Sequence, residues 1–150
     1  MVRNYLVVFI MSGMFLFGNT GHVKAEKNFP EAPSIHFDVM VHDFGTLKEG
    51  DIVNCVFNFT NTGNEPLIVE NVEQPCGCTI PSWTKQPVMP GQSGVIKVIF
   101  NSKERPGIFR KTLAIKTNVP VKKGDDLMLM IKGNVLTKKQ WKESPLYQKK

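Results

Sequence analysis

The feature that most constrains this chain is a period of two in its apolar residues. Ile35, Phe37, Val39 and Val41 alternate with His36, Asp38, Met40 and His42. Val53, Cys55, Phe57 and Phe59 repeat the pattern, with Asn54, Val56, Asn58 and Thr60 between them. Leu67-Ile68-Val69 opens a third run. Ile96, Val98 and Phe100 form another, then Leu113 and Ile115, and finally Leu127, Leu129, Ile131 and Val135. Only an extended strand sends successive side chains to opposite faces, so each run has one face for a core and one for solvent. Turn-forming clusters separate the runs: Lys48-Glu49-Gly50-Asp51, Asn61 to Pro66, Pro90 to Gly94, and Arg105-Pro106-Gly107. No window of a dozen residues has helical apolar spacing without an intervening Pro or Gly. The expectation is all-β: an antiparallel Ig-like sandwich of about seven strands.

The ends of the chain read differently. Arg3 precedes an apolar run from Tyr5 to Phe17, and a polar stretch ends in Val23-Lys24-Ala25. That three-part pattern predicts a signal peptide over residues 1–25. As a helix the run covers about 20 Å, short of the hydrocarbon core, so a cleaved leader is expected in place of an anchor. The predicted organisation is signal peptide 1–25, linker 26–31, sandwich 32–136 and basic tail 137–150. The mature chain is then exported, soluble and without a transmembrane segment, in the periplasm or outside the cell.

Charge follows this division. The whole chain has 19 basic and 13 acidic residues, but between Glu26 and Leu136 the two signs are equal at 12 each. The excess sits in the leader and in Lys138, Lys139, Lys142, Lys149 and Lys150. A nucleic-acid partner needs a clustered basic face with stacking aromatics, and the domain has none. The tail reads as a solvated terminus that at most touches an anionic surface weakly.

Catalytic patterns are missing as well. There is no nucleophile elbow, no Gly-rich phosphate loop and no His-Glu-x-x-His. His36, His42 and Asp38 are expected on the solvent face, the Asp125-Asp126 pair lies in a turn, and Asn58-Phe59-Thr60 sits in a strand where glycosylation is not expected. No cofactor is expected. Phe44, Phe57, Phe59, Phe100 and Trp83 are read as core aromatics.

The one chemically sharp feature is Cys76-Gly77-Cys78, flanked by Pro75 and Pro81. Three roles fit it. An oxidising compartment favours a small-ring disulfide, which requires a tight bend at Gly77 and is comparatively easy to reduce. Two soft thiolates suit a thiophilic metal such as Cu(I), with Met40, Met128 and Met130 as further ligands. In the third role the cysteines shape a loop at the end of the sandwich, with a bridge to Cys55 among the alternatives. Three cysteines leave at least one thiol free or intermolecular, and a buried Cys55 would be the inert one.

Asp43-Phe44-Gly45-Thr46-Leu47, Phe57-x-Phe59-Thr60-Asn61-Thr62-Gly63, Cys76-Gly77-Cys78-Thr79 and Pro90-Gly91-x-x-Gly94 occur in that order. In order and spacing the chain resembles the bacterial family known as domain of unknown function 1573, over about Phe37 to Asn118. The resemblance implies an exported envelope protein with an Ig-like sandwich, related in shape to major sperm protein modules and to modules of cilium-associated proteins. It implies no catalytic residue. Cys55 departs from the family pattern, where His or another non-Cys residue often stands. Gly45, Gly50, Asn61, Gly63, Pro90 and Gly91 are expected to determine turns, with Gly50 and Gly63 left-handed and Pro90-Gly91 in a type II turn. The function these readings favour is a non-enzymatic envelope module for binding or scaffolding an unknown protein partner. The alternative is a periplasmic Cu(I)-binding or thiol-redox protein using Cys76 and Cys78.

Overall fold

The computed structural model describes residues 32–74, 76–120 and 127–147. The signal-peptide and linker expectations, Pro75, the Asp125-Asp126 pair and the last three residues lie outside that range. Eight strands are described: β1 (Ile35–Phe37), β2 (Val41–Lys48), β3 (Ile52–Asn61), β4 (Val69–Glu73), β5 (Thr79–Trp83), β6 (Ser93–Asn101), β7 (Gly107–Thr117) and β8 (Leu127–Leu136). A short helix, α1 (Lys138–Glu143), follows. The strands form two four-stranded sheets, ordered β1-β3-β6-β5 and β2-β8-β7-β4.

The alternation predicts most inward residues of β3, β6, β7 and β8, though not Phe109 of β7. Phe57, Phe59, Ile96, Val98, Phe100, Leu113, Leu129 and Ile131 are buried to within a few per cent. Across the gap between the sheets, Phe100 of β6 stacks on Phe109 of β7 with ring centroids 4.3 Å apart. Phe44 of β2 lies 6.4 Å from Phe100. The aromatic layer therefore joins the sheets, as inner faces of an aligned sandwich do.

Two expectations need correction, and one strand was not anticipated. The first alternating run is two strands, because bends at Asp38 and Met40 carry the chain from one sheet to the other. The phase slips there: Val39 and Val41 are 57% and 46% exposed. His42, expected outside, is half-buried with its ring 4.6 Å from Phe44 and 6.5 Å from Phe57. Second, β2 pairs with β8 in parallel, so the sandwich is not wholly antiparallel. No hairpin links those strands, and without one nothing enforces the antiparallel sense. The unanticipated strand is Thr79–Trp83, which forms despite Pro81. The ladder to β6 is framed by Asn101 N–H to Cys78 O (3.0 Å) and Thr84 N–H to Val95 O (3.0 Å). Antiparallel alternation then turns the backbone groups of Thr79, Pro81 and Trp83 to the free edge, where a missing N–H costs nothing.

Close packing leaves little room where the core meets small residues. A Cβ at Gly94 would lie 2.4 Å from Phe59 Cζ, whereas one at exposed Gly77 would meet nothing within 4 Å. Gly94→Ala should therefore lower the unfolding free energy by roughly 1–3 kcal/mol through overpacking. Gly77→Ala should stay within about 0.5 kcal/mol of the parent. Urea titration of both variants checks this.

Candidate functional site

The cysteine corner is the crossover from β4, an edge of the second sheet, to β5, an edge of the first. Cys76 and Cys78 are disulfide-bonded, with Cα atoms 5.3 Å apart. Cys76 is half-buried, Gly77 is exposed, and Cys78 and Thr79 are buried. Thr79 Oγ1 lies 3.7 Å from Cys78 Sγ and 4.0 Å from Cys76 Sγ. Trp83 ties the two edges together by donating its indole N–H to Val69 O at 2.9 Å. Lys85 Nζ sits 3.2 Å above that ring, a cation–π contact.

Cys55 is not a partner of either sulfur. It is a free, buried thiol on β3, and β6 stands between β3 and β5. Burial pushes its pKa up to about 11, which keeps the thiol protonated and unreactive. The methionines named as further copper ligands lie elsewhere. Met128 and Met130 are on β8, and the carbonyl of Met40 accepts the Met130 N–H at 2.8 Å. They stand toward the β2 edge of the second sheet, opposite the β4 edge where the cysteine crossover begins. Among the described residues, no three His, Cys, Asp or Glu side chains converge in a way that could hold a metal ion.

The turn residues divide by mechanism. Gly45, Gly50 and Gly91 take positive φ (65°, 96° and 76°). Gly91 follows Pro90 in a turn closed by Gln92 N–H to Met89 O at 2.9 Å, the type II geometry expected. Gly63 is not left-handed, contrary to expectation. Its small size is needed because a Cβ would fall 2.2 Å from Ala32 O. Asn61 is the centre of this end of the molecule. Its Nδ2 donates to Glu65 O (2.7 Å) and Val88 O (2.9 Å), and its Oδ1 accepts the Gly63 N–H (3.0 Å). Its backbone N–H and C=O bond Gln92 and Gly91. A hollow of about 370 Å³ lies against Thr60, Asn61, Gly63, Pro90 and Gly91.

Sequence reasoning missed Ser102, which performs the equivalent task at another turn. Its buried hydroxyl lies 3.0 Å from Lys48 O and 2.9 Å from Asp51 O, and accepts the Gly50 N–H at 3.1 Å. A serine after a strand is too common to stand out; only its distance of about fifty residues from the turn it holds makes it informative.

The remaining feature is the free edge of β2. The register with β8 jumps between Asp43 and Thr46. Asp43 stabilises the irregularity by accepting the Gly45 N–H on Oδ1 (2.8 Å) and facing Lys132 Nζ with Oδ2 (3.3 Å). Those two contacts, the backbone bond first, hold its carboxyl below the usual value of 3.8. Gly45 O passes so close to β8 that a Cβ at Gly133 would be 2.9 Å from it. A cleft of about 310 Å³ opens there between Thr46, Ile108, Arg110 and Asn134. Ile108 is 84% exposed.

Together these define an Ig-like β-sandwich, closed at a corner by a disulfide and open at one long edge. The chain belongs to the family described as "Protein of unknown function (DUF1573)", which matches residues 35–135. No functionally curated protein matches the sequence. Among solved structures it is similar to a protein of unknown function from Porphyromonas gingivalis W83, with 16% identity and a TM-score of 0.60. That match covers 69% of this chain and 47% of the other, so the chain spans about half of that protein's length. It is also similar to the ASH/PapD-like domain 7 of human CEP192, with 10% identity, a TM-score of 0.58, and coverage of 79% and 96%. The VesB protease of Vibrio cholerae gives 13% identity, a TM-score of 0.51, and coverage of 67% and 31%. Likeness at these identities shows the fold alone. Among the described residues no helix is long and apolar enough to cross a membrane.

Asn61→Ala would strip four partners, the Ser34 N–H among them, from a buried position and strand their polar groups. It should cost roughly 2–3 kcal/mol, read as a lowered urea midpoint with an unchanged m-value.

Proposed function

We propose that the chain is exported by its first 25 residues and acts in the cell envelope as a non-enzymatic binding module, holding an extended segment of a partner protein against the free edge of β2. The observation that carries this reading is Val39-Met40-Val41. Three consecutive apolar residues, 57%, 46% and 46% exposed, stand at the head of an edge strand. Edges without partners usually carry charge, proline or a covering element there.

The backbone supports the same reading. Met40 O accepts from Met130 N–H, so alternation along the parallel ladder turns the polar groups of Val41 and Asp43 away from β8. An added strand would satisfy them, and its apolar side chains at alternate positions would meet Val41 and its neighbour Met130. The other edges suit this less well: β1 has three residues, β4 is irregular at Glu70, and β5 carries Pro81. The non-enzymatic part rests on the histidines. His36 lies exposed on β1 and His42 packs on Phe44 and Phe57, so the two stand in different sheets.

A photo-crosslinking residue at Val39, introduced in intact cells, tests the proposal. A discrete adduct is expected, on a chain whose first residue is Glu26. Val41→Pro removes an N–H that the fold does not use, and should abolish the adduct while the protein stays folded. Ile80→Lys, on the outer face of the other sheet, should leave it intact. An adduct indifferent to Val41→Pro but lost with Ile80→Lys would move the interface to the first sheet. A cytoplasmic chain retaining residues 1–25 would end the envelope assignment.

A further inference from the structure

We propose that the Cys76–Cys78 disulfide is a thiol–disulfide exchange site, with Cys76 the sulfur that is attacked and Cys78 the sulfur that leaves. Three observations lead there. The first is what the bond fails to do. It joins two residues of one crossover and links no distant parts of the chain. A loop this short removes less unfolded-state entropy than any longer one, so stabilisation is a weak reason for the bond.

The second is an asymmetry between the sulfurs. Cys76 is half-buried next to exposed Gly77, whereas Cys78 is 3% exposed and belongs to the core. An attacking thiolate approaches an accessible sulfur, and of the two only Cys76 is open to one. The third is Thr79. Its fully buried hydroxyl is turned to the sulfurs, 3.7 Å from Cys78 Sγ. A hydroxyl so placed donates to a departing thiolate that water cannot reach. The same geometry gives Cys55 no share in the chemistry, since it is buried on another strand.

The step balances with an external thiol as reductant, either a small thiol such as glutathione or a cysteine of another protein. The external thiolate forms a bond to Cys76 Sγ as the Cys76–Cys78 bond breaks. Cys78 leaves with the electron pair and takes up the proton released by the attacking thiol. A second external thiolate then attacks the first external sulfur and expels Cys76 as a thiolate, which is protonated. The two external thiols end as one disulfide, and the Cys76–Cys78 pair ends as two thiols. Without a second thiol, Cys78 returns to Cys76 and expels the first.

The test uses the folded, oxidised mature chain and glutathione. Timed reactions are acid-quenched, labelled with maleimide and mapped by mass. Singly reacted chains should carry glutathione on Cys76 and maleimide on Cys78, with a preference of about tenfold or more, and Cys55 should stay unlabelled. Cys78→Ser should accumulate a stable Cys76–glutathione adduct from oxidised glutathione, while Cys76→Ser reacts about tenfold more slowly at Cys78. Thr79→Val should slow the wild-type reaction several-fold with the disulfide still formed. Glutathione found on Cys78, or equally on both, would overturn the assignment. So would reduction that proceeds only at the rate of global unfolding, which would make the bond a buried structural element. Val41→Pro should leave the exchange rate unchanged, which separates this site from the β2 edge.

Discussion

Everything in the molecule depends on one layer of side chains that two sheets must close over. Phe100 from the first sheet lies against Phe109 and Phe44 from the second, so neither sheet has a complete inner face alone. Burying Phe57, Phe59 and Phe100 removes on the order of 150–250 Å² of surface each from water, the dominant favourable contribution here. Polar groups enter that layer only where they are bonded. Asn61, Thr79 and Ser102 are the buried polar residues among those described, and each has hydrogen-bond partners at a turn or crossover. The packed layer therefore fixes the strands, and the three polar residues fix how the chain turns between them.

Closing two open sheets leaves four edges, and their treatment differs. On one side Trp83 links β5 to β4 through the Val69 carbonyl, Pro81 removes a donor from the free edge, and the disulfide lies in the connection between them. On the other side β1 is short, and β2 runs eight residues with exposed valines and a methionine at its head. Asp43 and Lys132 hold the irregularity in the middle of β2. The edge proposed to add a strand and the site proposed for thiol exchange thus lie at opposite edges of the second sheet.

The sheet interior was readable from the sequence because strands with one buried face must alternate; β3 and β6 do so without interruption, whereas Lys111 breaks the inward series of β7 and Gly133 that of β8. Alternation carries no information about where a strand changes sheet. Val39 and Val41 continue the rhythm of Ile35 and Phe37, yet the bend between them reverses which side is in, and half-buried His42 packs on Phe44. Strand β5 was hidden by Pro81, which is tolerated because its nitrogen faces outward. The turn glycines could be anticipated as a class but not by mechanism: Gly91 needs positive φ, whereas Gly63 needs the absence of a side chain. Cysteine spacing allowed several pairings, and it is the place of Cys55 on β3, with β6 between it and β5, that separates it from the other two.

Residue-resolved amide hydrogen exchange tests the two-sheet account most directly. Amides of Phe57, Phe59, Ile96, Val98 and Leu113 should exchange only through global unfolding. Those of Val41 and Asp43 should exchange at rates close to those of an open strand. Strong protection at Val41 and Asp43 in the isolated protein, or early exchange at Phe57 and Val98, would contradict it.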